Sequence, residues 1–303
     1  MENTVTQLKG RVRANLSRLL PLEKERRGVR ENELVFVGIA ATADYHWCAM
    51  GSLLKNREIE PRSFGAYLED RLLYSIELGY IDKLPERVER WLEIGEEIML
   101  RDVEKLLGKR AVSNNTWECY TSYDNQDKEI MVINPKLSFE RKRFWEEEAN
   151  SRSIEVADTF QLHSSPKLLG EFLHFTKAEK YPTIRWNFNW HNYVVVGEPD
   201  GITDSFVYEY KSVGRYLTYF SRKAVMLTQA DLYGHFFGRK YKRVHVYIRE
   251  YAGAKAWEEP VDAKNAVKTL ASLEELDKKE GLPQQPEPWK CKKCKYAYAC
   301  PLL

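Results

Sequence analysis

The apolar and polar positions of this chain repeat with two periods, and the switches between them mark its elements. Between residues 183 and 212 the period is two. TIRWNFNW, residues 183–190, reads as a strand with a turn at His191-Asn192. VVVGEPDGITDSFVYEYKS, residues 194–212, reads as two further strands joined by a tight turn, punctuated by Gly197, Pro199, Gly201 and Asp204. Residues 214–238 change to helical spacing. KRVHVYIREY, 242–251, alternates again as a strand, and its Lys and Arg, with Arg239 and Lys240, form a basic edge. Residues 262–280 give a last amphipathic helix, before the Pro-rich linker GLPQQPEPW and the tail KCKKCKYAYACPLL.

Upstream the pattern is mainly helical. Residues 4–20 carry Leu8, Val12, Leu16, Leu19 and Leu20 at helical spacing and predict a docking helix. LVFVGI, 34–39, fits a short strand or a loop entering a helix, with Asp44 as an N-cap and Cys48 in the first turns. Residues 62–80 and 85–107 predict two amphipathic helices, the second stopped by Gly108. IMVI, 130–133, reads as a strand, and RKRFWEEE, 141–148, as a solvated helical face. Residues 166–181 form a short helix containing LLGEFLH, ended by Pro182. The order helix, three strands, helix, strand predicts an α/β core, a mixed sheet flanked by helices, over residues 166–285. A helical N-terminal region, 1–165, contributes Cys48, and 286–303 form a cysteine-rich tail.

The alternation also sorts the chemistry. Asp200 stands near the end of one strand, and Glu209 and Lys211 lie two apart on the next, on one face, with Tyr208 and Tyr210 on the other. Two carboxylates there can hold a hard cation such as magnesium or manganese. The lysine can orient a water or offset charge on a phosphate. An exposed Glu/Lys pair on a surface hairpin is the plain alternative. Gln229 and Tyr233, four apart in QADLY, share a helical face that can pack over this site and hold Lys211 or a scissile phosphate.

Composition narrows the setting. A chain of 303 residues with a net charge of only +2 must confine any nucleic-acid site to a local patch. No apolar run approaches membrane-spanning length, and the N-terminus lacks a secretory core, which points to the cytoplasm and to reduced thiols. The many Lys, Glu, Arg and Tyr residues fit a thermophile. Cys291, Cys294 and Cys300, spaced CxxCxxxxxC, then read as ligands of one soft metal centre, with Cys48 the natural fourth. Zinc and an iron–sulfur cluster both accept such a set. Cys119 reads as a free buried thiol and His46 as structural, since it points away from Cys48 on a helix.

In order, Cys48, GEPDGI with Asp200, EYK with Glu209 and Lys211, QADLY, and CxxCxxxxxCP resemble the PD-(D/E)xK nuclease superfamily in its RecB-like branch with an iron–sulfur cluster. The match is with the CRISPR-associated RecB-type exonucleases, with AddB-type helicase–nucleases as relatives. It covers Cys48 and roughly residues 165–301. The resemblance implies a restriction-endonuclease-like fold and a 4Fe–4S cluster on Cys48, Cys291, Cys294 and Cys300. It implies magnesium or manganese on Asp200 and Glu209, a catalytic Lys211, and supporting roles for Gln229 and Tyr233. The family draws a further ligand from a GxxxH helix. LLGEFLH offers His174, SFGAYLE offers Glu69, and EIGEEIM offers only Met99, a poor ligand for hard cations. The implied activity is metal-dependent cleavage of single-stranded or end-containing DNA, in CRISPR spacer acquisition with integrase-type partners or in DNA repair. A catalytically weakened DNA-binding subunit is the alternative. Trp186, Trp190 and Tyr216 are candidates for stacking on unpaired bases.

Overall fold

The computed structural model describes residues 34, 36–58, 118–124, 128–178, 181, 186–203, 205–278, 282–292 and 294–303. The helices expected over 4–20, 62–80 and 85–107 lie outside the described residues, and Glu69 and Met99 with them. In chain order the elements are β1 (Phe36–Gly38), α1 (Ile39–Ala43), α2 (Ala49–Arg57), β2 (Cys119–Tyr123), β3 (Glu129–Ile133), α3 (Phe139–Ser151), β4 (Glu155–Val156), α4 (Thr159–Ser164), α5 (Pro166–Ala178), β5 (Trp186–Trp190), β6 (Tyr193–Gly197), β7 (Gly201–Ile202), β8 (Phe206–Val213), α6 (Tyr216–Phe236), β9 (Tyr241–Ile248), β10 (Gly253–Pro260), α7 (Ala263–Lys278) and α8 (Pro288–Cys291). The arrangement is mixed α/β. No helix among the described residues is long and apolar enough to cross a membrane.

Three sheets carry the strands, in the orders β1-β6-β5, β10-β9-β8-β7 and β2-β3-β4. In the second, β8 runs parallel to β9 and antiparallel to β7. β8 is covered on both faces, which its near-continuous apolar and aromatic run requires. Val207 packs with Leu232 and Tyr233 of α6, and Val213 with Tyr219, Met226 and Ala230 of the same helix. On the opposite face Phe206, Tyr208 and Tyr210 meet Leu173 of α5, Tyr181 and Tyr247. The α6 side is closed further by α1, α2 and α7 through Ile39, Ala43, Met50, Leu53, Leu270 and Leu273.

Several expectations change. The strands of 194–212 do not form one hairpin. β6 belongs to the first sheet, beside β1 and β5, and β7 turns back on β8 through Thr203, whose N–H donates to Phe206 O. Glu198, Pro199 and Asp200 carry the chain from one sheet to the other. Proline has no N–H for a ladder, so the crossing falls where the sequence cannot continue a strand. Gly201 is needed at its end, because a Cβ there would stand 2.5 Å from Tyr181 Cβ.

The N-terminal side is not purely helical either. β1 joins the first sheet in parallel register with β6, so residues 36–57 belong to the layers of the core. The strand read at 130–133 becomes the centre of a separate sheet whose Ile130 and Val132 pack with Leu168 of α5. α3 is solvated as expected, with Ala149 its buried residue. Cys119 is a free thiol but only half-buried, and burial, then the Glu118 charge, push it up to about 11. Asp44 is not the cap of α2. Cys48 takes that place, its Sγ accepting from Gly51 N at 3.3 Å.

The basic edge at 239–249 is also revised. β9 is not an edge, because β10 pairs along it in antiparallel register. Lys242 is buried and meets Asp231 at 2.6 Å and Glu259 at 3.1 Å. Arg243 pairs with Glu258 at 2.8 Å and lies over the Phe206 ring. Arg239 Nη1 and Arg249 Nη1 donate to the backbone oxygens of Phe237 and Pro166. These cations therefore serve the fold. Lys242→Met would leave the Asp231 carboxylate buried against fewer donors and should cost about 3 kcal/mol in urea unfolding at neutral pH. A loss below about 1 kcal/mol would mark the pair as no stronger than a surface bridge.

Candidate functional site

The register of β7 and β8 assembles the site. Gly201 stands opposite Tyr208 and Ile202 opposite Val207, so one step further Asp200 falls opposite Glu209. Directly opposed residues bring their Cβ atoms to about 5 Å. Asp200 is locked there from two sides. Its Oδ2 accepts from Tyr210 N–H at 2.7 Å, and its Oδ1 is hydrogen-bonded to His174 Nε2 at 2.8 Å. His174 projects from α5, so the helix covering one face of β8 reaches the acids held on the strand pair. Lys211, two positions beyond Glu209, forms an ion pair with Glu209 Oε1.

Depth divides the four. The Glu209 side chain is 1% exposed and forms the floor, whereas Lys211 at 34% and His174 at 38% reach solvent. Glu209 Oε2 has no hydrogen-bond partner among the described residues. Burial, then the neighbouring Asp200 charge, push the Glu209 carboxyl up to about 7. Burial works the same way on Asp200, but the His174 hydrogen bond and the Lys211 charge hold it below the usual carboxylate range. Burial disfavours charge on both cations, and the acids reverse this. Asp200 raises His174, and Glu209 and Asp200 raise Lys211, with Asp44 adding a smaller effect. A carboxylate pair with an orphaned buried oxygen is short of positive charge.

Gln229 and Tyr233 stand behind this floor on α6, both buried. Gln229 Nε2 donates to Tyr233 Oη at 3.5 Å. Burial, then the charges of Glu209 and Asp200, lift the Tyr233 phenol well above its ordinary range. A Cβ on Gly197 would stand 3.1 Å from its ring, so that glycine lets the tyrosine approach. Two participants escaped the sequence reading. The Tyr210 backbone N–H gave no side-chain signal. Asp44, read as an N-cap, instead binds Lys55 at 2.6 Å and Arg222 at 3.2 Å.

The expected cysteines lie on two segments that dock on each other. The tail docks on residues 47–58: Lys290 Nζ donates to Trp47 O at 3.2 Å, Tyr296 Oη to Glu58 at 2.9 Å, and Trp289 meets Trp47 edge-on at 5.3 Å. Burial pushes the Cys48 thiol up, and the charges of Cys294, Cys300 and Cys291 add to it. All four are free thiols. His46 hydrogen-bonds Thr269 Oγ1 at 3.1 Å, in keeping with a structural role. Trp190 stacks on His191 at 4.0 Å and packs against the core, whereas Tyr216 is exposed beside Tyr219 and Tyr251. The Trp186 side chain lies outside the described residues.

The donor sets fit the expected groups chemically. Two carboxylates and an imidazole suit magnesium or manganese, and four thiols suit zinc or an iron–sulfur cluster. Neither set is pre-arranged: among the described residues no three His, Cys, Asp or Glu side chains already stand in a metal-binding array. Asp200 leans on His174 and Glu209 on Lys211 instead, so a cation would have to displace those contacts.

No protein-family model and no curated protein matches the chain. A solved structure titled "Crystal structure of SSO0001" is similar, at 19% identity over 54% of this chain and 81% of that chain, with a TM-score of 0.34. At that score the likeness carries no argument. Manganese binding to the acids should raise the melting temperature of wild-type protein by several degrees at millimolar metal. Glu209→Gln should abolish the rise, and an undiminished rise in that variant would place the metal elsewhere.

Proposed function

We propose that this chain is a metal-dependent nuclease acting on single-stranded or end-containing DNA, built on a restriction-endonuclease-like core. The observation that carries the reading is Asp200 opposite the buried Glu209, with Lys211 and His174 at the solvent side of the same site. Magnesium or manganese held by Asp200, Glu209 and His174 would polarise a phosphate and lower the pKa of an attacking water. The residues supply the rest. Lys211, at the solvent side beside Glu209, would supply a charge and hydrogen-bond donor toward water or phosphate. Tyr233, buried close enough to feel both acids and kept neutral, accepts a hydrogen bond from Gln229 at its hydroxyl. Tyr210 N–H and His174 together fix both oxygens of Asp200.

The four thiolates of Cys48, Cys291, Cys294 and Cys300 fit a 4Fe–4S cluster, which would staple the tail to residues 47–58. In the cell such an enzyme fits the cytoplasm and a role in CRISPR spacer acquisition or DNA repair, with integrase-type partners. Phosphate contacts by Lys290, Lys292, Lys293 and Lys295 of the tail would make DNA binding weaken as salt rises.

With manganese, wild-type protein should digest single-stranded DNA. Asp200→Ala and Lys211→Ala should each lose about 10²-fold or more while melting cooperatively. A folded Asp200→Ala with wild-type rate would remove the assignment, and DNA binding without digestion by wild type would favour a binding subunit. The purified protein should be brown with broad visible absorbance that Cys294→Ser abolishes. A colourless preparation carrying zinc would replace the cluster.

A further inference from the structure

Beside the acids lies a cleft of about 500 Å³, lined on one wall by His174, Tyr210, Lys211 and Ser212. Its other wall is Tyr120 and Thr121 of β2 with Gly170, Glu171 and Phe175 of α5. β2 belongs to the separate β2-β3-β4 sheet, which the sequence reading left without a role. Three features show a place prepared for a ligand. The Tyr120 and Phe175 rings stack at 4.4 Å with an interplanar angle of 26°, forming an aromatic platform. Tyr210 Oη and Ser212 Oγ are buried and have no hydrogen-bond partner among the described residues, although both residues line the cleft. Glu171 adds a carboxylate on the same wall.

We infer that this cleft takes the base of one unpaired nucleotide, whose phosphate then lies at Lys211 and His174. The inference rests on the nuclease reading for its choice of ligand and deepens it by naming what the site selects. A flat ring fits against the Tyr120–Phe175 platform, and cavities of this size hold ligands of nucleotide dimensions. Glu171 offers an acceptor to a base edge and favours bases with an exocyclic amine. A base paired in a duplex cannot enter, since it would have to leave its stack. The β2-β3-β4 sheet thus supplies Tyr120 to the base pocket, and a preference for unpaired strands follows from the Tyr120–Phe175 pair.

The test is an abasic scan, with binding followed by anisotropy of a dye-labelled single-stranded DNA on the full chain. Moving one abasic position along the strand should find a single place where wild-type affinity falls roughly tenfold. Gly170→Leu fills the cleft without a clash, because a Cβ there meets nothing within 4 Å. In that variant the penalty at the same position should shrink below about twofold, the range of a base no longer stacked. Phe175→Ala removes one ring of the stacked pair and should do the same. A uniform scan, an unchanged penalty in both folded variants, or no DNA binding would overturn the inference. If wild-type protein hydrolyses no DNA with manganese yet keeps the position-specific penalty, the nuclease reading fails and the base pocket stands.

Discussion

A carboxylate with no access to water needs another source of stabilisation, and Glu209 is that carboxylate here. Its side chain is 1% exposed, and Asp200 lies directly across the strand pair. Two adjacent acids in a low-dielectric floor repel each other and resist ionisation. Much of the surrounding structure answers this. Lys211 leans back onto Glu209, His174 reaches from α5 to Asp200, and the Tyr210 N–H takes the remaining Asp200 oxygen. A protein that wanted only stability would place an apolar residue at 209. The arrangement makes chemical sense when a cation is expected.

The architecture follows from that demand. β8 must be covered on both faces to bury Glu209, so α6 lies over one face and α5 over the other. The chain must change sheets just before Asp200 to set that residue opposite 209, and Glu198-Pro199-Asp200-Gly201 performs the change. Helix α6 brings Tyr233 close to the acids, and the tail docks on residues 47–58. Cys48 and Asp44 share one short segment, 44–48, in which Asp44 raises the Lys211 pKa slightly and Cys48 caps α2.

Several of these features were legible in the sequence because they depend on local period. Glu209 and Lys211 share a face because they are two apart on a strand. Tyr233 and Gln229 share one because they are four apart on a helix. Cys291, Cys294 and Cys300 lie close because the loop between them is short. What was not legible depended on pairing at a distance. GAKAWEEP shows no apolar alternation, so β10 gave no signal, and without it Lys242 and Arg243 read as a basic edge when they are the partners of Asp231, Glu259 and Glu258. β1 is three residues long and is held by β6 far along the chain. The cleft wall at Tyr120 and Phe175 joins residues 55 positions apart, from a strand and a helix whose own patterns say nothing about each other.

A divalent cation would meet the deficit of positive charge at Asp200 and Glu209. Anomalous scattering from crystals grown with manganese reads this directly. A manganese peak is expected at Asp200 and Glu209, with the Lys211 ammonium withdrawn from Glu209. Occupied manganese elsewhere, with Lys211 still on Glu209 and no peak between the two acids, would contradict it.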